Sequence, residues 1–239
     1  ENFAKPGKTL VGSDSHTPTA GGIGALAMGA GGLSVALSMA GQAYFLPMPK
    51  VVRVHLTGAL TGWASAKDVI LVLLGKLTVK GGVGRVMEFT GPGVAPLTVP
   101  ERATITNMGA ELGATTSIFP SDAQTKKFLS RMGRPEDFTA MAADPKATYD
   151  EEVFINLSDL EPMAAAPHMP DRAVRIADLD GMQVDQAAIG SCTNSSYTDL
   201  KATAQLLSGK RINPATDLLI APGSKQVLKL LTAEGLLDP

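Results

Sequence analysis

The sequence has little cysteine, little net charge and no long hydrophobic run, and each shortage excludes a kind of bond or a class of partner. Its 239 residues include one cysteine, Cys192, which excludes an intrachain disulfide and favours a reducing compartment. Lys and Arg number 21 against 23 Asp and Glu, so the basic excess typical of proteins that bind nucleic acids or anionic membranes is absent. The longest apolar stretches, such as residues 69–74, are too short to cross a membrane, and the first residues do not resemble a signal peptide. We therefore expect neither a membrane nor a nucleic acid as partner.

Apolar residues and turn-forming residues dominate instead. Hydrophobic residues make up 44% of the chain, with 25 Gly and 16 Pro, a mix typical of a soluble α/β protein with short connections. Alternating and helical periodicities predict the elements. The predicted strands are residues 9–12, 51–57, 86–90, 153–157, 186–189 and 218–220. The predicted helices are residues 22–40, 65–76, 100–113, 122–132, 197–207 and 224–234.

The order of these elements also predicts the domain organisation. Residues 162–170 contain three Pro and three Ala and are interpreted as a linker. The alternation of strands and helices after them is typical of a parallel sheet. We place boundaries near residues 49 and 160, which divides the chain into domains at 1–49, 50–160 and 161–239.

A polar turn follows the first predicted strand. Residues 12–17 read Gly-Ser-Asp-Ser-His-Thr, at the position beyond a strand end where open α/β sheets bind ligands. Asp14 can accept a proton, His16 can act as acid or base near neutral pH, and Ser15 and Thr17 can donate hydrogen bonds. A turn that only caps the next helix explains the same residues equally well.

The glycine-rich stretch after this turn has the spacing of a dinucleotide-binding loop. Residues 22–27 read Gly-Ile-Gly-Ala-Leu-Ala, which matches the pattern G-x-G-x-x-A. The predicted strand ends well before this stretch, and no acidic residue follows at the distance a ribose partner requires. Close packing of a helix on Gly and Ala is the favoured interpretation.

Asn107 and Glu111 lie four residues apart in a predicted helix. This spacing places both side chains on one helix face. An amide and a carboxylate that project together can bind a polar ligand or hold a histidine. A solvated helix face is the alternative, although the nearly uncharged residues 112–120 that follow make it less favourable.

Cys192 lies in the most informative segment. Residues 190–196 read Gly-Ser-Cys-Thr-Asn-Ser-Ser and follow an apolar strand. Backbone N–H groups at the start of the next helix can stabilise a thiolate there. The polar neighbours favour a nucleophile or a metal ligand over an inert buried cysteine.

The three polar motifs together resemble signatures of the aconitase superfamily. They are the segments at 12–17, 107–111 and 190–196. Further stretches resemble aconitases at residues 58–63, 67–71, 77–82, 91–94 and 113–120. Isopropylmalate dehydratases share the first and third motifs, but Gly-Ala-Glu at 109–111 and the residues at 114–120 favour citrate–isocitrate chemistry. We interpret the chain as an internal piece of such a protein.

The resemblance implies a fold, a reaction and a cofactor. The fold would be α/β, with three-layer α/β/α domains and mostly parallel sheets. The reaction would be the reversible conversion of citrate to isocitrate through cis-aconitate, with Cys192 as one of three thiolates that hold a [4Fe–4S] cluster. A cytoplasmic location is implied, or the mitochondrial matrix in a eukaryote. The other implied site residues are polar: catalytic His16, Glu111 and Asp14, substrate-binding Asp14, Ser15 and His16, and cluster-neighbouring Asn107 and Asn194.

The chain also departs from the family pattern. One thiolate cannot hold a cubane cluster, and the resemblance places the other two cluster cysteines, in a Cys-Gly-Pro-Cys segment, after the last residue. An Asp-His pair and a further His would precede the first residue, and the domain with the catalytic serine and substrate-binding arginines is absent. We therefore expect the chain alone to hold no cluster and to be inactive. Its expected partners are the missing portions of the polypeptide and a tricarboxylic acid.

Four alternatives stay open, and the fourth, a regulatory RNA-binding form of the family, gains no support from the near-neutral charge. Isopropylmalate and homoaconitate hydratases belong to the same superfamily. A cysteine-dependent enzyme would use Cys192 with His16 or His55 as a catalytic pair. A dinucleotide-binding module would use the glycine-rich stretch at 22–27.

Overall fold

The structure is a computed structural model that describes residues 2–237. Contacts divide the chain into two compact units, one up to Asp178 and one from Leu179 onwards. Each unit is described by itself. The three-domain division at about residues 49 and 160 stays a prediction.

The first unit opens with a two-stranded parallel sheet. Strand β1 (Thr9–Gly12) pairs with β2 (Leu26–Gly29), and a 3₁₀ helix (Thr17–Ile23) connects them. Helix α1 (Gly32–Met39) follows. The helix predicted over residues 22–40 is therefore wrong in its first half, because pairing with β1 outweighs the helical pattern of the small residues there.

Gly21 and Gly22, in the 3₁₀ helix, are needed because other backbone atoms lie very close to them. A Cβ on Gly21 would lie 1.8 Å from the carbonyl oxygen of Ser117, and one on Gly22 would lie 2.8 Å from the backbone nitrogen of Ala103. The glycines therefore allow close backbone packing. The glycine-rich stretch does not lie between a strand and the helix it opens, so it lacks the setting of a dinucleotide loop.

A four-stranded parallel sheet forms the centre of the first unit. Its strands are β3 (Lys50–Thr57), β4 (Arg85–Thr90), β5 (Thr116–Ile118) and β6 (Glu151–Asn156), in the order β5-β4-β3-β6. Helices α2 (Ala66–Leu77) and α3 (Val99–Met108) add apolar residues to the core beneath one face of this sheet. Helix α4 (Ala123–Arg131) follows β5.

Alternation and capping account for these elements. Val52, Val54 and Leu56 of β3 are buried, whereas Arg53 and His55 between them are only half-buried, as the two-residue period of a strand requires. Helix α2 begins with a capping box at Ser65 and Asp68, in which the Asp68 carboxylate accepts the backbone N–H of Ser65 at 2.6 Å.

The segment predicted as a proline-rich linker is instead part of a hairpin. Strand β7 (Met163–Ala165) pairs antiparallel with β8 (Ala173–Arg175). The backbone N–H of Met163 donates to Asp68 Oδ1 at 2.7 Å, so the hairpin is tied to the start of α2. A short antiparallel pair tolerates flanking prolines, because they need not donate to the ladder.

The second unit contains the strand–helix alternation predicted for the end of the chain. Strands β9 (Gln186–Ile189) and β10 (Asp217–Ile220) are parallel, and helices α5 (Tyr197–Leu207) and α6 (Lys225–Ala233) follow them. The predicted fold class, α/β with mostly parallel sheets, is confirmed. None of the helices within residues 2–237 is long and apolar enough to span a membrane.

Candidate functional site

The turn after β1 is held in shape by Asp14. Its carboxylate oxygen Oδ1 accepts the backbone N–H of His16 at 2.7 Å, and its carbonyl oxygen accepts the Thr17 hydroxyl at 2.7 Å. A Cβ on Gly12 would lie 2.4 Å from that hydroxyl oxygen, so only glycine fits there without a shift. Asp14 thus closes an Asx turn, whereas the 3₁₀ helix that follows has His16 at its N-cap and receives no side-chain cap there.

The structure brings His16 and Glu111 together from positions far apart in the sequence. His16 Nε2 lies 3.4 Å from Glu111 Oε1, and the two side chains are 28% and 41% exposed. On the other side of the ring, Nδ1 lies 3.0 Å from Ser15 Oγ and 3.7 Å from Asp14 Oδ1. The ring therefore lies between two carboxylates and one hydroxyl, with access to solvent.

These neighbours determine what each ring nitrogen can do. The Glu111 carboxylate can only accept a hydrogen bond, so a bond across the 3.4 Å to Nε2 requires a proton on Nε2. Nδ1 then accepts from the Ser15 hydroxyl. When the ring gains a second proton, Nδ1 becomes a donor and faces Asp14 Oδ1 at 3.7 Å. The ring therefore has a hydrogen-bonding neighbour at each nitrogen, as a group that transfers protons requires.

Glu111 reaches this position because α3 ends early. The sequence predicted one helix through both Asn107 and Glu111, but α3 ends at Met108 and a 3₁₀ helix (Gly109–Leu112) continues the chain. A Cβ on Gly109 would lie 2.3 Å from Ser117 Oγ, so the tighter turn depends on this glycine. The prediction of one continuous helix face is wrong, although both residues lie near the Asp14 turn.

Asn107 is fully buried and is linked through Thr19 to the turn that contains Asp14 and His16. Its Nδ2 donates to Thr19 Oγ1 at 2.7 Å. Thr19 Oγ1 in turn donates to the carbonyl oxygen of His16 at 2.6 Å. Sequence reasoning missed Thr19, and the available signal was a second hydroxyl residue three positions after His16.

A cleft of about 720 Å³ opens beside Ser15. The segment with Tyr44, Leu46 and Met48 forms part of its wall, and none of the described residues that line it is charged. A carboxylate bound in the cleft would contact hydroxyl and backbone groups, and it would contact no Lys or Arg side chain among these lining residues.

Cys192 and Asn194 belong to the second unit, in the turn between β9 and α5. Cys192 is exposed, and Ser191 Oγ lies 3.7 Å from its Sγ. Ser191 has a φ of 68°, which is rare for a non-glycine residue. The Ser195 hydroxyl donates to the Ser191 carbonyl oxygen. Asn194 is half-buried, and Ser195 is a residue that sequence reasoning did not single out.

The donor set of this chain alone does not fit a [4Fe–4S] cluster. Such a cluster is held by several Cys thiolates, and the chain has one cysteine. Within residues 2–237, no group of three or more His, Cys, Asp or Glu side chains is arranged to hold a metal ion. Any cluster ligation by Cys192 would therefore need donors from elsewhere.

Comparison with known proteins identifies the family. The model of the aconitase family (aconitate hydratase) matches residues 1–239. The mitochondrial aconitate hydratase of Schizosaccharomyces pombe is 44% identical over 256 residues, which cover 100% of this chain and 32% of that protein. The 3-isopropylmalate dehydratase large subunit 2 of Archaeoglobus fulgidus is 40% identical over 99% of this chain and 57% of that protein.

A solved structure supports the fold. The holo-form of Thermococcus kodakaraensis aconitase X superimposes with a TM-score of 0.52 at 18% identity, over 98% of this chain and 54% of that one. The chain thus spans about a third of the mitochondrial relative and about half of the solved structure. Because the family model matches along the whole sequence, the chain belongs to the aconitase family.

Proposed function

We propose that this chain supplies part of the active site of a hydro-lyase that interconverts citrate and isocitrate through cis-aconitate. The observation that carries the proposal is the pairing of His16 with Glu111, at 3.4 Å, beside the turn that follows β1. An imidazole between two carboxylates can deliver a proton to a departing hydroxyl group and recover it when water adds again. Family membership supports the same reaction class.

The proposed roles follow from the contacts of each side chain. Glu111 faces Nε2 of His16 and orients the ring, which would donate a proton to the leaving hydroxyl so that it departs as water. Ser15 lines the cleft and contacts Nδ1 of the same ring, so it can orient both the substrate and His16. Asp14 shapes the turn through its bond to the backbone of His16.

Cys192 is proposed as one ligand of a [4Fe–4S] cluster completed by other parts of a longer polypeptide. When bound, such a cluster supplies a Lewis-acidic iron for the substrate. Asn107 and Asn194 are proposed to lie near it. Because the chain has a single cysteine, we expect the chain alone to be inactive.

The choice of citrate as substrate rests on which amino acids surround Glu111 in the sequence rather than on the geometry of the site. Isopropylmalate and homoaconitate hydratases remain alternatives, and one of the relatives named above is an isopropylmalate dehydratase subunit. Binding of citrate, isopropylmalate and homocitrate to the chain, followed by NMR shifts of the His16 and Ser15 signals, would rank the three acids.

A chimera tests the proposed reaction. The matching third of the S. pombe enzyme is replaced by residues 1–239, the protein is loaded anaerobically with iron and sulfide, and cis-aconitate absorbance is followed. We expect turnover that falls at least about 100-fold in kcat for His16→Gln and for Glu111→Gln, because general acid–base groups contribute about 10²–10⁴-fold.

Matched controls separate catalysis from stability in this experiment. His168→Gln and Glu136→Gln change the same residue types at exposed positions outside the site, and we expect them to keep kcat within about twofold. A cluster-loaded, folded chimera whose turnover does not depend on His16 or Glu111 would contradict the proposed roles. A folded, loaded chimera without turnover would contradict the proposed reaction.

A further inference from the structure

Thr19 connects two groups that the proposed site uses. It lies in the 3₁₀ helix after the Asp14 turn and is half-buried. Its Oγ1 lies 2.6 Å from the carbonyl oxygen of His16 and 2.7 Å from Nδ2 of Asn107. Its own carbonyl oxygen accepts the hydroxyl of Thr106 at 3.1 Å. The Thr19 side chain thus contacts both His16, in the Asp14 turn, and the buried Asn107 of α3.

The chemistry of the donors fixes the direction of each bond. A backbone carbonyl oxygen only accepts, so the single proton of the Thr19 hydroxyl must go to His16. Thr19 Oγ1 can then only accept from its other neighbour, and that neighbour must be an N–H donor. The amide nitrogen of Asn107 therefore faces Thr19, and the amide oxygen faces away. This settles an orientation that the similar shapes of nitrogen and oxygen leave open.

We propose that Thr19 is a positioning residue that sets the orientation of the Asn107 amide and couples it to the His16 backbone. Loss of the hydroxyl leaves the buried Nδ2 of Asn107 and the carbonyl oxygen of His16 each one partner short. The Asn107 amide then loses this fixed acceptor, and bonds of the Thr19 backbone, from its N–H to His16 and from Thr106 to its carbonyl oxygen, still connect the His16 turn to α3. The role in turnover rests on the proposed function, whereas the hydrogen-bond coupling does not.

The coupling is tested on the chain itself by hydrogen exchange of the Asn107 side-chain amide, followed by NMR. We expect exchange at least about tenfold faster in Thr19→Val, which keeps the shape of the side chain but removes the hydroxyl. Thr19→Ser keeps the hydroxyl and should restore slow exchange. Thr139→Val, at an exposed position of the same unit, serves as the control and should change nothing. Thr19→Ala provides a second hydroxyl-free variant if Thr19→Val does not fold.

The role in turnover is tested in the chimera described above. We expect Thr19→Val to lower kcat at least about tenfold with KM within about twofold, and Thr19→Ser to restore kcat. Unchanged Asn107 exchange in Thr19→Val would overturn the coupling whatever the turnover. Faster exchange with unchanged kcat would overturn the positioning role. Absence of turnover in the unsubstituted chimera would contradict the proposed function, and the exchange experiment would still decide the coupling.

Discussion

The ion pair between Arg102 and Asp122 is expected to be the most costly single contact to remove near the site. The Arg102 side chain is 0% exposed and that of Asp122 is 31% exposed, and Arg102 Nη2 lies 2.6 Å from Asp122 Oδ2. All the N–H donors of the guanidinium are used, because it also bonds the carbonyl oxygens of Leu97, Val94 and Pro120. The pair thereby anchors α3, the helix that contains Asn107.

The structure allows the cost of two substitutions to be worked out. Asp122→Ala leaves a buried cation without its counter-charge, which costs about 3 kcal/mol, the lower end of the usual range because Asp122 is partly exposed. Asp122 is also the N-cap of α4, accepting from the backbone of Gln124 and Thr125, and loss of the cap adds about 1 kcal/mol. Asp122→Asn keeps the cap and one acceptor for Arg102, so we expect a cost of about 2 kcal/mol.

The assay must report on the first unit, so we choose hydrogen exchange at the backbone amide of Ile105, a buried residue of α3. A loss of about 4 kcal/mol in Asp122→Ala corresponds to roughly a thousandfold lower protection. Asp144→Ala, at an exposed loop position, should change stability by no more than about 0.5 kcal/mol. A loss below about 1 kcal/mol in Asp122→Ala would refute the argument that the buried guanidinium depends on this carboxylate.

Two further predictions concern backbone packing and pH dependence. Gly21→Ala should lower the free energy of unfolding in urea by about 3 kcal/mol or more, because its Cβ would overlap the Ser117 carbonyl oxygen. Gly31→Ala is the control and should be nearly neutral, because a Cβ there has no atom within 4 Å. The hydrogen bond from Lys201, with a second from the tyrosine hydroxyl beside it, holds the pKa of Glu234 below its ordinary 4.5. Stability from this pair is therefore present above pH 4.5 and lost as the pH falls through the lowered value. In ¹³C NMR titrations Lys201→Met should return the Glu234 midpoint towards 4.5, and an unchanged midpoint would contradict the assignment.

Local sequence chemistry predicted much of the fold and part of the site. The local patterns of the sequence placed β3 and β9 correctly and predicted a helix from residue 65, next to the start of α2, because these signals depend on neighbouring residues alone. The polar turn at residues 12–17 was recognised for the same reason. The placement of Cys192 after an apolar strand is also a local feature, whereas its role as a ligand stays a proposal.

The amino-acid sequence by itself thus determined where strands β1, β3, β4, β6, β9 and β10 and helices α2 to α6 lie, and which segments have polar side chains at strand ends. The tertiary structure alone decided that residues 26–29 form a strand, that residues 163–165 pair in a hairpin, and that Glu111 faces His16. The physical reason is the same in each case. Strand pairing, and the approach of Gly109 to Ser117 in a different element, involve residues outside any one helix or strand, and no local period or cap contains that information.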